Sequence, residues 1–502
     1  MKPLEELGLA GRYDELRRVL EAAGYTEETI CRRLRLNRLA DFELEPSRRP
    51  AVPPPATPSD LLVAFFLEGV YVSRASVDTF LGPGVAALFE GMGLLEAADA
   101  DRCAATVALY PLDGLYIASS RWSSADGLVF ETPPDVVYPA LIRNTRLFLD
   151  LLPDTPCENL LDLGSGTGIA VFEASRYGAR HAWAADIAER STRFAEFNRR
   201  LNAIDHVTAV TSDLYEHFEG QTFDRIVSHP PYMPVLSQKW IFMSGGEDGE
   251  QITRRIIEGL PRHLDDGGLC FCLTMGSDRT GSPFEQRIRE WLGADQSSFD
   301  VALVVRKQME PEQYAVRTVP FEPRPRAEAK AWRELFARLE VVSLVYGLVL
   351  IQRRNGAGRT FTVRRQATPG FRRADWQWLL SWETAAAGGR LVPAVLDSRL
   401  YASRRTDFSV LHGLTGEGWT PKSYRLSIDQ PFSMDCKIDA WAAHLLAQCD
   451  GVKTGRQLFQ QLKETGAIPS QASASEFAEA VRPLISGGFL ELEGFRPPQA
   501  AE

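Results

Sequence analysis

A doubly wound α/β fold is predicted for the middle of this 502-residue chain by three observations. From about residue 135, short apolar runs alternate with stretches of helical periodicity. One of those runs passes directly into a glycine-rich turn that opens a helix. Seven such runs follow one another before the pattern changes again. Together they predict a Rossmann-like, seven-stranded domain flanked by small helical, winged-helix-like domains. The strands are expected at Asn159–Leu163, Ala182–Asp186, Val207–Thr211, Arg225–Ser228, Leu269–Thr274, Val301–Val305 and Val341–Ile351. The last follows a helix over about Ala327–Leu339 and falls where such sheets often gain an antiparallel edge.

The flanks read differently. Leu16, Val19, Leu20, Ile30 and Leu34 recur at helical spacing within residues 2–38. A Pro-rich stretch, Pro46 to Pro58, favours extended backbone and reads as a linker. Beyond it, Ser59 or Asp60 is expected to cap a helix running through Leu67, followed by helices over Ser76–Phe80 and Val85–Met92. Alternating strands near Ala104–Tyr110 and Leu115–Ser119, joined at Asp113-Gly114, complete a winged-helix-like pattern. Such units bind nucleic acid or serve protein contacts alone. Residues 356–430 read as β-rich and loop-rich without a resolved order. Helices over Asp439–Gln448, Gly455–Lys463 (with Thr454 as N-cap) and Ser475–Ile485, then a strand Phe489–Leu492, form a second winged-helix-like unit over 435–495. The expected domains are 1–122, with the linker at 46–58, then 123–355 and 356–502.

Composition removes several function classes. The longest apolar candidate, Val341 to Ile351, is about half the roughly 20 residues needed to cross a bilayer. The first residues, MKPLEELGLAGRYDEL, carry early acids and no apolar segment, so no secretory signal is expected. Seven scattered cysteines without a CxxC pair fit reduced thiols in the cytoplasm, and no metal site is expected. The net charge of −10 argues against a protein that coats nucleic acid. Residues 304–373 nevertheless hold fifteen Lys and Arg against six Glu and no Asp. Arg353, Arg354, Arg359, Arg364, Arg365, Arg372 and Arg373 dominate the second half. That stretch is either a basic face that steers RNA, or an acidic protein, or a solvated arginine-rich sheet edge.

The chemistry begins at residues 160–168, LLDLGSGTG, the end of the first strand with Asp162 in it. Gly164, Gly166 and Gly168 allow positive φ and close approach of a ligand to the backbone. The helix from Ile169 then presents free N–H groups and a positive dipole end to an anionic ligand group. Asp186 ends the second strand about 20 residues on, where a carboxylate accepts both ribose hydroxyls. Ser212 and Asp213 end the third, where Asp213 is placed to accept from an adenine amino group. A dinucleotide site calls for glycine at the sixth position of the loop, where this chain has Ile169. S-adenosyl-L-methionine, its carboxylate at the helix end, is the cofactor expected.

After the fourth strand comes VSHPPYMP, Val227 to Pro234. Here the chain resembles the amino-group methyltransferases marked by Asn/Asp-Pro-Pro-Tyr/Phe, among them release-factor glutamine methyltransferases, adenine N6 methyltransferases and rRNA guanine N2 methyltransferases with a small methyltransferase domain. The segment Gly245–Gly268 is similar to the stretch downstream of that loop in the glutamine and rRNA branches. Val136–Thr145, VVYPALIRNT, loosely resembles their approach to the cofactor. The resemblance covers about 135–355 and implies a class I methyltransferase fold. It implies that His229, Pro230 and Tyr232 orient the acceptor: acceptor atoms aim at the N–H groups of a planar nitrogen while the aromatic ring stacks on it. The two prolines withhold competing N–H groups and stiffen the loop. The chain departs from the family in having His229 in place of Asn or Asp. Neutral imidazole accepts one hydrogen bond; imidazolium accepts none.

These readings predict methyl transfer to a planar amino or amide nitrogen of a macromolecule. The basic stretch tilts the substrate toward an RNA base. A protein glutamine is the alternative, and a cofactor fold kept as a non-catalytic scaffold is the reading from another class. Trp240, Phe242 and Met243 either line a substrate pocket or pack in the core. Glu247 and Asp248 read as a turn and helix start.

Overall fold

The computed structural model describes residues 6–44, 48–49, 53–124, 132–237, 239–318, 325–356 and 358–498. They form two compact units, divided between Met275 and Gly276. The boundary falls inside one long strand, Leu264–Arg279.

In the first unit the sheet runs Val207–Thr211, Ala179–Asp186, Cys157–Leu163, Phe223–Ser228 and Leu264–Arg279, with every pairing parallel. Leu160, Leu161, Ala182, Ala184, Ile226, Val227, Cys270 and Phe271 are buried, which is why these strands read as continuous apolar runs. Helices Ile169–Ser175, Glu189–Leu201 and Gln251–His263 connect them. Strand order reverses between Cys157–Leu163 and Phe223–Ser228, so the carboxyl ends of those two strands open a crevice where ligands bind in open α/β sheets.

Upstream, helices occupy Tyr13–Ala22 and Glu27–Leu34. The Pro-rich linker expected at 46–58 falls partly outside the described residues. The cap of the next helix is Thr57, not Ser59 or Asp60: its hydroxyl accepts the Asp60 N–H at 3.1 Å, and the Asp60 carboxylate accepts the Thr57 N–H at 3.0 Å. Asp60 thus serves as the third residue of a reciprocal cap. Helices Arg74–Leu81 and Val85–Gly91 lead into a small antiparallel sheet of Val72–Ser73, Arg102–Ala105 and Leu95–Ala97. That sheet corrects the position of the wing. The expected first strand breaks at Thr106, and the strand pair expected as the wing is a separate hairpin, Val107–Leu112 with Leu115–Ser120.

This hairpin is fastened to the helix Glu189–Leu201 by two asparagines one turn apart. Asn198 is fully buried; its Oδ1 accepts the Ala118 N–H at 2.7 Å, and its Nδ2 donates to the carbonyls of Ala118 and Thr167 at 3.0 and 2.9 Å. Asn202 treats Tyr116 the same way, accepting its N–H and donating to its carbonyl, both at 2.8 Å. Two side-chain amides satisfy the hairpin's outer backbone groups as a neighbouring strand would.

In the second unit, Phe299–Met309 pairs antiparallel with Val341–Arg353 and parallel with Thr362–Ala367. All seven expected strands are therefore present. Residues 356–430, unresolved from sequence, contain helices Arg373–Ala385 and Leu391–Asp397 before the hairpin Asp407–Thr415 with Gly418–Ile428. The first of these helices hides its period because it is buried nearly all round: Trp376, Trp378, Leu379, Leu380, Trp382 and Glu383 are all inside. The three helices expected at the C-terminal end are found at Ala440–Leu446, Gly455–Glu464 and Ala474–Ser486, around a core of Leu445, Leu458, Val481 and Ile485.

Three arginines of the basic stretch at 304–373 are taken up in ion pairs. Arg354 pairs with buried Asp300 at 3.1 Å. Arg364 bonds Asp278 and Glu285 at 2.8 and 3.0 Å, and Arg365 meets Glu383 at 3.2 Å. Glu383, itself buried, also takes Arg482 at 2.9 Å. These three charges are met by carboxylates distant in sequence. Among the described residues no helix is long and apolar enough to cross a membrane.

Candidate active site

A cavity of about 580 Å³ opens at the carboxyl ends of the central strands of the first unit. It brings together Asp162, Gly164, Gly166, Asp186, Ser212 and Asp213 with His229, Pro230 and Tyr232. Of the predicted site residues, Gly168 alone does not line it.

Gly168 serves packing. It caps the helix Ile169–Ser175, and a Cβ there would stand 2.7 Å from the Phe172 ring and 3.3 Å from Ala195. Gly164 and Gly166, like Gly168 at 81°, adopt a left-handed backbone other residues rarely take, with φ of 74° and 55°. The carboxylate of Asp186 locks this loop to the next strand: Oδ2 accepts the Gly166 N–H and Oδ1 the Ala188 N–H, each at 2.9 Å. Burial raises the Asp186 pKa while those two bonds pull it back. Asp162 has less relief, a single backbone N–H bond from Val171. Burial, and then the nearby Asp186, push its carboxyl up to about 8. Its Oδ2 and the Ser165 hydroxyl are buried with no hydrogen-bond partner. Unsatisfied polar atoms of this kind carry a cost in a folded protein. Lining a cavity of this size, they fit a polar ligand such as S-adenosylmethionine.

The ends of the third strand are more committed. Asp213 holds Arg255 at 3.0 Å, both partly exposed. The Ser212 hydroxyl is spent within its own turn, donating to the Leu214 carbonyl at 2.9 Å and accepting the His217 N–H at 3.1 Å. Ser212 thus shapes the loop that presents Asp213. Ile187 also lines the cavity with half its surface exposed, an apolar platform beside the Asp186 carboxylate that no sequence motif announces.

The strand Phe223–Ser228 delivers His229 into the cavity wall. Its ring is sandwiched between Phe148 and Tyr232, with centroids 5.2 and 5.5 Å away and planes 28° apart in both cases. Burial depresses its pKa to about 4, so the imidazole is neutral at physiological pH. Its Nε2 is buried without a partner. The loop beyond is braced by the glycine-rich segment: Met233 and Ser244 form a parallel bridge, Gly245 N–H donates to the Met233 carbonyl at 2.9 Å, and Gly249 lies so close that a Cβ would stand 2.6 Å from the Tyr232 carbonyl. Asp248 accepts the Glu250 N–H at 3.0 Å ahead of the helix Gln251–His263, as expected of a turn and helix start.

Four aromatic rings form the cavity's outer wall. Tyr138 and Phe242 stack at 4.6 Å, and Trp122 meets Tyr138 edge-on at 4.8 Å. Trp240 stands 6.0 Å from Trp122. Trp240, Phe242 and Met243 thus line the pocket. Tyr138, from the segment Val136–Thr145 singled out in the sequence, and Trp122, which no local motif announces, join them from upstream. Among the described residues no group of three or more His, Cys, Asp or Glu is placed to hold a metal ion.

Residues 140–289 match the family model of the methyltransferase small domain. Over 150 residues the chain is 31% identical to a Methanocaldococcus jannaschii protein named "Putative protein N5-glutamine methyltransferase", covering 29% of this chain and 74% of that one. It is 34% identical over 131 residues to the release factor glutamine methyltransferase of Rhodopirellula baltica, covering 23% of this chain and 44% of the relative. The ribosomal protein uL3 glutamine methyltransferase of Bradyrhizobium diazoefficiens is 28% identical over 160 residues, 29% of this chain and 50% of the relative. The chain therefore spans about three quarters of the first relative and half or less of the other two. Among solved structures, a ribosomal protein L11 methylase of Lactobacillus delbrueckii aligns over 42% of this chain and 77% of its own, with 20% identity and a TM-score of 0.25.

Proposed function

The chain belongs to the S-adenosylmethionine-dependent methyltransferases with a small methyltransferase domain, and from that premise we propose that it methylates the side-chain amide nitrogen of a protein glutamine. The observation that carries this reading is His229: a buried, neutral imidazole whose Nε2 has no partner, in the same cavity as the cofactor loop. Such an atom suits an N–H of a neutral planar acceptor and repels nothing uncharged. The glutamine activities named for the relatives favour an amide. An RNA base, favoured by the charge count of the basic stretch, loses that support because Arg354, Arg364 and Arg365 are held by carboxylates.

In this reading the cofactor supplies an activated methyl, and no metal is needed. Gly164, Gly166 and the helix from Ile169 receive its carboxylate; Asp186 takes the ribose and Asp213 the adenine. Asp162 and Ser165 supply further polar contacts in the same cradle. His229 accepts one amide N–H, Tyr232 stacks on the amide plane, and Pro230 keeps the loop stiff. Transfer demands reacting atoms roughly 3–3.5 Å apart, and these residues would orient the nitrogen toward that approach. A bound cofactor would supply its methyl to this nitrogen and leave as S-adenosylhomocysteine, and the proton lost from the amide would pass to water. The domain proposed over 123–355 carries this chemistry. A cytoplasmic setting is proposed from the seven free cysteines.

The test uses extract from cells lacking this chain, incubated with the purified enzyme and methyl-labelled S-adenosylmethionine. Protease should release the label and nuclease should not. Acid hydrolysis of the labelled protein should yield volatile methylamine, the product of an N-methyl amide. Label released by nuclease would replace the glutamine reading with a base.

A further inference from the structure

The hairpin Asp407–Thr415 with Gly418–Ile428 lies within the second unit, and its two edges are built differently. Its inner half gains a third strand, Phe432–Ile438, which pairs with Tyr424–Ile428. Its outer half, from Leu411 and Ser423 to the turn, is a ribbon of two strands. Such a ribbon is marginal in water until a further strand or a packed face supports it. On the Gly418–Ile428 side the outer edge carries Pro421, which has no N–H, beside Lys422, the extra residue of a bulge. Proline, lysine and bulges keep an edge from pairing. The Asp407–Thr415 side, the last strand of its sheet among the described residues, has none of them. From Phe408 to Thr415 it reads FSVLHGLT, without Pro, Lys, Arg, Asp or Glu.

The unguarded strand is also apolar where it meets solvent. Phe408 is 50% exposed, Leu411 60% and Leu414 71%, and Trp419, paired opposite Leu414, is 71% exposed. Side chains alternate along a strand, so Phe408, Val410, His412 and Leu414 share one face and Leu411 stands on the other. We propose that this chain forms a two-fold dimer by antiparallel pairing of the Asp407–Thr415 edge with the same edge of a second copy, centred on Leu411. In that register Phe408 lies opposite Leu414 of the second copy, Val410 opposite His412, and Leu411 opposite Leu411. Apolar side chains face each other across the new pairing and no like charges meet, the arrangement that stabilises cross-strand neighbours. One self-complementary patch is all that a two-fold interface requires. Each ribbon supplies the third strand that the other's outer half lacks. The four exposed side chains leave on the order of 400 Å² of apolar surface in water per copy. With the strand edges themselves, two copies would take about 1,200 Å² out of water, the lower end of the range for stable interfaces.

Sedimentation velocity of the full chain at micromolar concentration should give a dimer. Leu411→Lys sets two cations against each other at the centre and should weaken dimerisation about 100-fold or more, while circular dichroism and S-adenosylmethionine affinity stay as in wild type. Leu411→Cys should form a disulfide-linked dimer on mild oxidation, because directly opposed residues stand about 4.5–5.5 Å apart at Cα, within disulfide range. Ser409→Cys, on the same face two residues away, should not link, since its opposite is Gly413; nor should wild type with its own seven cysteines. A monomer at every concentration would overturn the inference. So would a dimer that Leu411→Lys leaves intact, which would place the interface elsewhere. Cross-linking through Ser409→Cys and not Leu411→Cys would overturn the register. An open-ended series of larger species would also count against it, because this pairing uses up the only unguarded edge of the hairpin.

Discussion

The cavity of the first unit and the arginine-rich stretch of the second handle polar groups in opposite ways. Around the cavity, Asp162 Oδ2, Ser165 Oγ and His229 Nε2 are buried with no partner. In the arginine-rich stretch, Arg354, Arg364 and Arg365 have their charges matched by Asp300, Asp278, Glu285 and Glu383, although Arg354 Nε is itself buried without a partner. Charge density along the sequence points to the second region as a binding surface. Unmet hydrogen-bonding capacity points to the first. A folded chain satisfies its buried polar groups wherever nothing else will, so the places where it does not are where a ligand is expected to complete the account.

The largest effect that would sharpen this contrast comes from Asp186→Ala. Besides the proposed ribose contacts, it strips the partners from the Gly166 and Ala188 N–H groups. Two hydrogen bonds to a charged group are worth about 1.5–3 kcal/mol each, so S-adenosylmethionine affinity should fall on the order of 100-fold or more by calorimetry. Wild-type affinity would move the ribose elsewhere.

Next in size is Arg365→Glu. If the stretch served RNA, charge reversal at Arg364 and Arg365 would weaken substrate binding in a salt-dependent way. The pairing with buried Glu383 makes it a stability residue instead. The variant should lose about 3 kcal/mol of stability, the cost of breaking a buried pair. Methylation by whatever remains folded should show no new salt dependence. A salt-dependent substrate defect in a variant of wild-type stability would reinstate the basic face.

His229→Ala should bind cofactor normally and transfer about 100-fold more slowly, as for loss of one oriented polar group. With the imidazole pKa lowered to about 4 by burial, the wild-type single-turnover rate should owe no decline to His229 between pH 5 and 8. Its acid limb belongs near pH 4, not near the ordinary histidine value of about 6.5. His229→Asn should retain appreciable activity and lack that limb. Equal rates for wild type and His229→Ala would remove this residue from the mechanism.

The smallest effect is at Asp162. Its carboxyl is raised to about 8 in the fold against about 3.9 in an unfolded chain. Between those values the native state holds a proton that the unfolded state lacks, so stability falls as pH rises through that window. Asp162→Asn has no proton to lose. In ligand-free protein its melting temperature should gain on wild type by a few degrees between pH 5 and 8. Parallel melting curves across that range would mean the Asp162 carboxyl is not held neutral.

The parts of the fold and site legible in the sequence are those that depend on near neighbours. The strand ending in LLDLGSGTG, Asp186 at the next strand end and the His-Pro-Pro-Tyr turn are local, and they converge on one cavity. The hidden parts depend on distant contacts. Arg364 looks free in the sequence because Asp278 lies 86 residues away, outside the window in which charges are counted. Asn144 meets Tyr232, 88 residues on, at 3.0 Å only through the fold. Trp122 and Tyr138 join Trp240 and Phe242 in one wall through the fold alone. The helix Arg373–Ala385 escapes notice for the opposite reason: most of its circumference is buried, and only a narrow stripe of Gln377, Ser381 and Thr384 marks its period.

The two asparagines that clasp the hairpin also bear on inheritance. Asn198 bonds Ala118 on one side and the Thr167 carbonyl, in the cofactor loop itself, on the other. A chain that began at residue 123 would uncover Asn198 and take the Ala118 N–H from its Oδ1, one bond from the glycine loop. The region before residue 123 is thus tied by hydrogen bonds to that loop, and exchanging it for another recognition head would call for a new partner at Asn198.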